Sequence, residues 1–140
     1  ALANGGAIAA PLFYGRVLQE GRPRNDDTVL IVDNGSGYLP ALVKPMAGSV
    51  EVITQAEAAK TSRKKVRYSL LLIDGAVEDF PESLTKRLAD DARIVTGLLE
   101  RGVTRLATGR VVNGKASFAA LAEEGIPVLG TFNAKAEWSF

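Results

Sequence analysis

The sequence predicts an α/β domain whose sheet is parallel in its first half and gains antiparallel strands along its C-terminal edge. Three observations carry this expectation. The branched apolar run Val29–Val32 ends at Asp33 and passes through a turn of small residues, Asn34-Gly35-Ser36-Gly37, into an apolar, helix-like segment at Tyr38-Leu39. A strand buried on both faces of a parallel sheet reads as such an unbroken run. A second run, Tyr68–Ile73, ends at another acidic, glycine-bearing turn, Asp74-Gly75-Ala76. Further on, Asn113-Gly114 separates two strand-like segments and is the strongest short hairpin signal in the chain.

The chain has 140 residues, enough for one domain with its own core. Its formal charge of +1 argues against a general nucleic-acid or membrane binder. It contains no cysteine, which excludes disulfides, thiolate zinc sites and a cysteine nucleophile. It contains no histidine, which excludes Ser-His-Asp hydrolysis and histidine-based metal chemistry. No metal site is expected. No apolar stretch reaches the length of a membrane span. The small, apolar N-terminus lacks the basic residues of a signal peptide, so a cytoplasmic location is expected. The chain does not begin with Met and is read as a fragment or processed form of a longer protein.

In order, residues 1–11 read as an extended segment with a turn at Asn4-Gly5-Gly6. Pro11–Glu20 reads as an amphipathic helix with Leu12, Val17 and Leu18 on its buried face, capped by Gly21 and stopped by Pro23. The strand Thr28–Val32, the glycine turn and a short helix limited by Pro45 follow. Ser49–Thr54 is a second, β-branched strand, and Gln55–Lys60 a helical turn or two. The basic run Thr61–Arg67 reads as a solvated connector. The strand Tyr68–Ile73 comes next, then a helix from Pro81 through Leu88 and strands at Ala92–Leu99, Thr104–Val112 and Lys115–Ala120. Gly125–Phe132 reads as a last edge strand or extended tail. Trp138 and Phe140 are expected to pack on the core.

A Gly-rich turn between a buried strand and a helix lets a ligand approach the backbone near free amide groups. The dinucleotide fingerprint fails here, because Pro40 stands where its third Gly or Ala belongs. The Gly-Lys-Ser/Thr of the P-loop is absent. Two readings stay open at this point: the Gly-x-Gly turn of S-adenosylmethionine methyltransferases, and a purely structural tight turn.

The residues then add a family. Val29-Leu-Ile-Val-Asp-Asn-Gly-Ser-Gly-Tyr38 resembles the first motif of the protein-L-isoaspartate O-methyltransferases, approximately V-L-E-I-G-T-G-S-G-Y. Ala7-Ile-Ala-Ala-Pro11 resembles their T-I-S-x-P segment. Tyr68–Leu84 is similar to the fourth strand, its loop and the I-P-x-x-L helix start. Leu88-Ala-Asp-Asp-Ala-Arg-Ile-Val95 is similar to L-x-x-G-G-R-L-V. The tail Trp138-Ser-Phe140 is similar to the C-terminus of a bacterial branch.

The resemblance implies a Rossmann-like class I methyltransferase sheet, S-adenosylmethionine as cofactor and a protein or peptide carboxylate as substrate. It implies cofactor contacts from Asp33, Asn34, Gly35, Ser36, Gly37 and Tyr38, a ribose side at Thr54 and Gln55, and an adenine or methionine side at Asp74, Gly75 and Ala76. Ala7, Ile8 and Ala9 would lie toward the substrate. No catalytic residue is assigned, because in-line attack of a carboxylate on a sulfonium methyl group needs positioning rather than a base. Nucleic-acid and membrane partners are not expected, and the oligomeric state is not read.

The sequence departs from the family at the chemistry. Ile31 replaces the strand's acid, Asp33 the first glycine and Asn34 the threonine. The ribose acid falls at Thr54 or Gln55, with Glu51 and Glu57 out of register. Ala7 and Ala9 replace hydroxyl residues. The family's N-terminal region is absent, and the room between Ala59 and Tyr68 implies either a sheet short of one strand or a chain lacking an intervening piece. Two functions follow as expectations: a carboxyl O-methyltransferase with altered activity on isoaspartate, or a catalytically silent relative serving as a binding or assembly module.

Overall fold

A computed structural model describes residues 11–133. The candidates Ala7, Ile8 and Ala9, and the tail aromatics Trp138 and Phe140, lie outside the described residues. The elements run α1 (Pro11–Gly21), β1 (Thr28–Val32), α2 (Tyr38–Val43), β2 (Ser49–Ile53), α3 (Gln55–Ala58), β3 (Tyr68–Val77), α4 (Glu82–Thr85), β4 (Leu88–Glu100), β5 (Val103–Val112) and β6 (Lys115–Glu123). A 3-10 turn covers Gly130–Phe132.

The six strands form one sheet in the order β2-β1-β3-β4-β5-β6. β2, β1, β3 and β4 are mutually parallel, and β5 and β6 are antiparallel additions. Among the described residues no strand lies between α3 and β3. The basic segment 61–67 is irregular there, and Lys64 pairs with Glu51 of β2. β2 is therefore the edge of the parallel half, as the short spacing before Tyr68 predicts.

The unbroken apolar runs work as the sequence implies, because successive side chains leave opposite faces of a strand. Val29, Ile31, Leu70 and Leu72 pack with Phe13 and Val17 of α1 and Leu39 and Val43 of α2. Leu30, Val32, Leu71 and Ile73 pack on the other face with Ala58 of α3 and Leu84 of α4. Ile31, at the family's acidic position, is fully buried in the first of these clusters.

Three expectations need correction. Leu12 is 60% exposed, while Val17 is buried as expected and is joined by Phe13, Tyr14 and Gly21. The buried stripe is rotated because Gly21 sits tight on the sheet, where an added Cβ would stand 3.0 Å from Leu72. β3 does not stop at Asp74. It continues to Val77, since the Ala76 amide donates to the Pro127 carbonyl and the Leu129 amide donates to the Ala76 carbonyl, both at 2.8 Å. The helix after Pro81 ends at Thr85, because β4 already begins at Leu88. Of the two readings of Gly125–Phe132, the extended tail holds, with one bridge, Ala76 with Val128, and a 3-10 turn at its end. Pro127 there has no amide to donate to a ladder, and β6 holds the edge.

The hairpin at Asn113-Gly114 is present, with φ of 52° and 76°. A second hairpin turn joins β4 to β5 at Arg101-Gly102, with φ of 51° and 78°.

The N-terminal ends of the strands are fastened by Arg93 of β4. Its guanidinium donates to the Asp27 carboxylate at 2.8 and 3.3 Å and to the Gly21 carbonyl at 2.9 Å. Asp27 also accepts from the Ser69 hydroxyl at 2.8 Å and the Arg24 amide at 2.9 Å. Burial pushes the Asp27 carboxyl up, but Arg93, Ser69 and the Arg24 amide outweigh burial and hold it below its ordinary value. One ion pair thus ties the last carbonyls of α1 to β1, β3 and β4.

Candidate ligand site at the strand ends

The chain leaves β1 for β2 on one side and returns to β3 on the other. In open α/β sheets, ligands bind in the crevice beyond the carboxyl ends of the strands where the order reverses in this way. Val32 of β1 is in register with Ile73 of β3, so Asp33 and Asp74 emerge side by side at that point.

Asp33 closes its own turn. Its Oδ2 accepts from the amides of Gly35 at 3.1 Å and Gly37 at 3.0 Å. Asn34 Oδ1 accepts from the Ser36 amide at 3.0 Å, and Ser36 Oγ accepts from the Tyr38 amide at 3.2 Å. Four consecutive amides are therefore bonded to side chains of the turn itself. Short Asp, Asn and Ser side chains compete for nearby amides in this way. Gly37 begins α2 with φ of 71°, and an added Cβ would meet nothing within 4 Å. The outer side of the turn is open.

Asp74 is fully buried. Burial pushes its carboxyl up to about 7, the Tyr14 hydroxyl pulls it down, and the neighbouring Asp33 charge pushes it up again. The Tyr14 hydroxyl donates to Asp74 Oδ2 at 3.1 Å. The Tyr14 ring packs on Tyr38 with centroids 4.7 Å apart, and on Phe13 at 5.6 Å. Asp33 Oδ1 and Asp74 Oδ1 are buried acceptors with no hydrogen-bond partner. Two orphaned carboxylate oxygens beside an aromatic wall favour a cationic group, which gains from both.

Thr54 and Gln55 follow β2 at the same end of the sheet, where the Asp33 amide donates to the Ile53 carbonyl at 3.0 Å. The Thr54 hydroxyl caps α3. It accepts from the Glu57 amide at 3.1 Å and donates to the Glu57 carboxylate at 3.2 Å, which also accepts from the Thr54 amide at 3.3 Å. This is a complete capping box. Gly75 and Ala76 are covered by the segment 127–129. A Cβ on Gly75 would stand 2.6 Å from the Leu129 side chain and 3.0 Å from the Pro127 carbonyl.

The structure thus brings Asp33, Asn34, Gly35, Ser36, Gly37, Tyr38 and Asp74 together. Thr54 and Gln55 flank them with the Thr54 hydroxyl already engaged, and Gly75 and Ala76 are packed beneath the chain. Tyr14 joins the site without having been singled out from sequence. Nothing in an apolar Leu-Phe-Tyr run marks one hydroxyl for a carboxylate 60 residues away. The self-capping of the turn was open to inspection, since Asp33, Asn34 and Ser36 are the residue types that do it. A concavity of about 430 Å³, lined by Glu20, Arg93, Thr108, Arg110, Ser117 and Phe118, lies over the antiparallel half, away from these residues. Among the described residues no cluster suits a metal ion, and no helix is long and apolar enough to cross a membrane.

No family model matches the chain. A curated Protein-L-isoaspartate O-methyltransferase from Methanospirillum hungatei is 25% identical in an alignment of 164 residues, which covers 98% of this chain and 75% of that protein. The solved protein-L-isoaspartate O-methyltransferase of Plasmodium falciparum, a complex with S-adenosyl-L-homocysteine, superposes with a TM-score of 0.69 at 14% identity, covering 92% of this chain and 78% of that one. Another structure of a protein-L-isoaspartate O-methyltransferase gives a TM-score of 0.71 at 12% identity, with 88% of this chain and 48% of that one covered. At such identities the superpositions speak for the fold, which is that of a class I methyltransferase: a mostly parallel six-stranded sheet with antiparallel C-terminal strands. In sequence the chain is similar to the protein-L-isoaspartate O-methyltransferase of Methanospirillum hungatei.

Proposed function

We propose that this chain holds S-adenosylmethionine against the turn after β1 and methylates a protein or peptide carboxylate. The observation that carries the reading is the pairing of Asp33 and Asp74 at the reversal of strand order, with unpartnered buried oxygens and open space outside Gly37. The residues fit the cationic end of that cofactor, since Asp33 Oδ1 and Asp74 Oδ1 are placed to accept from an ammonium group. The Tyr38 ring, 42% exposed, offers a face for stacking or cation–π contact. When bound, the cofactor supplies an electrophilic methyl group. The chain's own part is to orient it and exclude water, which needs no histidine.

A second reading has its own observation. The amides of Gly35 and Gly37, which a carboxylate ligand would use, already bind the Asp33 carboxylate. A turn closed on itself favours a catalytically silent protein that kept the scaffold.

Calorimetric titration with S-adenosylmethionine separates the two. Binding at about micromolar affinity, roughly −8 kcal/mol, supports the enzyme, and methyl transfer to an isoaspartyl peptide against a free aspartyl control then tests the substrate. Absence of heat up to millimolar ligand favours the silent protein. Asp33→Gly is expected to remove one of the two carboxylates facing the ammonium group and to weaken binding by about tenfold, the worth of one charge-assisted hydrogen bond. An unchanged or tighter affinity in that variant means that Asp33 competes with the ligand for the Gly35 and Gly37 amides instead of contacting it.

A further inference from the structure

We infer that the free edge of β2, with the basic segment 60–67 beside it, receives an extended acidic peptide as an added strand. The Ser49 amide donates to the Asp27 carbonyl at 3.2 Å, and the Asp33 amide donates to the Ile53 carbonyl at 3.0 Å. The β1–β2 register runs unbroken between these two bonds. Backbone groups alternate sides along a strand, so Ser49, Glu51 and Ile53 serve β1, while Val50 and Val52 direct amide and carbonyl outward. Among the described residues neither valine makes a hydrogen bond on that outer side, and no strand lies beyond β2. Two donors and two acceptors thus stand in strand geometry. Another extended backbone matches them, and a phosphodiester chain does not. The Val52 side chain, 40% exposed, adds an apolar contact beside them.

Charge names the partner. Residues 60–67 hold Lys60, Arg63, Lys64, Lys65 and Arg67 and no acid, in a chain whose formal charge is only +1. All five are exposed. Among the described residues Lys64 alone of the five has a carboxylate partner, Glu51. The segment is irregular but fastened. Arg87 donates to the Lys60 carbonyl at 2.8 Å, Arg67 donates to the Lys64 carbonyl at 3.2 Å, and the Lys64 ammonium group sits on Glu51 at the middle of β2. Cations already held beside the strand bind a carboxylate with less ordering cost than free ones. Such cations guard an edge against uncharged and like-charged strands and admit an acidic one. A second copy brings the same cations to the same edge and is repelled. Residues 60–67 contain no aromatic ring on which a base could stack, which sets a nucleic acid behind a peptide. This inference does not depend on cofactor binding, because it uses the backbone of β2 and charges outside the turn after β1.

Fluorescence anisotropy of a labelled peptide of alternating glutamate and valine, titrated with the full chain, tests it. Saturable binding is expected, and the double reversal R63E/K65E is expected to weaken it about tenfold. Both positions are exposed, so the variant folds. A second measurement needs no variant. In the complex the Val50 and Val52 amides are expected to exchange with deuterium more slowly than in the free chain, as read by NMR, because an added strand takes them as donors. Absence of binding up to near-millimolar chain, or equal binding by R63E/K65E, would overturn the assignment. So would unprotected Val50 and Val52 amides in the complex, which would reduce the contact to charge alone. A single-stranded oligothymidylate of equal charge that binds more tightly than the peptide would make this face a nucleic-acid surface instead.

Discussion

Replacing Arg93 with methionine is expected to lower the unfolding free energy by about 3 kcal/mol in urea titrations at pH 7. Removing one partner of a buried ion pair leaves the other charge uncompensated, typically at about 3–5 kcal/mol. The lower figure applies because the Arg93 side chain is 27% exposed, while Asp27 is 6% exposed. The loss also strips the Gly21 carbonyl of its strongest side-chain donor. Asp27 keeps Ser69 and the Arg24 amide, so its carboxylate is not left bare. The pH dependence has a definite sign. A carboxyl held below its ordinary value contributes stability that is present above that value and lost as pH falls through the lowered one. With Arg93 gone, burial dominates and the Asp27 carboxyl rises, so the variant begins to lose this contribution at higher pH than the parent. Replacing both residues, R93M with D27L, is expected to recover most of the stability, because no charge then stays buried. If R93M unfolds at the parent's urea concentration, Arg93 is a surface residue in energetic terms and the fastening role is wrong.

Arg93 also shows where the sequence was legible. It lies within a segment that resembles the family's entry to the fifth strand, so its presence was visible, but its partners were not. The strands and both short helices around the glycine turn could be read locally, since period, proline and glycine fix them. The errors came where a partner distant in sequence decides the outcome. β3 outruns Asp74 because residues 127–129 lie alongside Ala76. Leu12 faces out because Gly21 and the aromatic pair Phe13 and Tyr14 set the contact with the sheet. The turn at Arg101-Gly102 lacked the Asn-Gly signature that made the next hairpin plain.

The site divides the same way. Asp33 to Tyr38 could be placed at the end of β1, and Asp74 at the end of the second apolar run, from the two runs alone. That Asp33 and Asp74 are neighbours depends on β1 and β3 being adjacent, which topology rather than spacing dictates. That Thr54 is engaged by Glu57 follows from a capping box, a pattern open to sequence reading. That Asp74 meets Tyr14 does not, because it depends on how α1 rotates against the sheet.

Asp74→Asn is the variant in which stability and ligand binding are expected to move in opposite directions. Carrying a buried carboxyl from 3.8 to about 7 means that the ionised form costs the fold on the order of 4 kcal/mol. A raised carboxyl contributes stability that is complete below the unfolded value and lost as pH climbs through the folded one. The parent is therefore expected to lose stability between about pH 4 and pH 7 and to level off above. Asparagine keeps an acceptor for the Tyr14 hydroxyl but brings an amide donor into a place where Oδ1 has no partner, which returns roughly 1–3 kcal/mol of that cost. The net expectation at pH 8 is a gain of about 2 kcal/mol, which vanishes at about pH 5 to 6 and turns into a loss of about 2 kcal/mol near pH 4, read as a thermal midpoint that rises in alkaline buffer and falls in acid. Binding should go the other way. An ammonium group on the ligand loses one of its two carboxylates, so affinity for S-adenosylmethionine falls about tenfold. In the parent that affinity improves as pH rises through 7 and Asp74 ionises. A variant with an unchanged midpoint at pH 8 would show that water already solvates Asp74. A variant that gains stability and binds as well as the parent would leave this carboxylate without a role in the proposed site. A costly buried charge kept beside the end of β1 is what a ligand site requires, and the two measurements together decide whether this one still serves it.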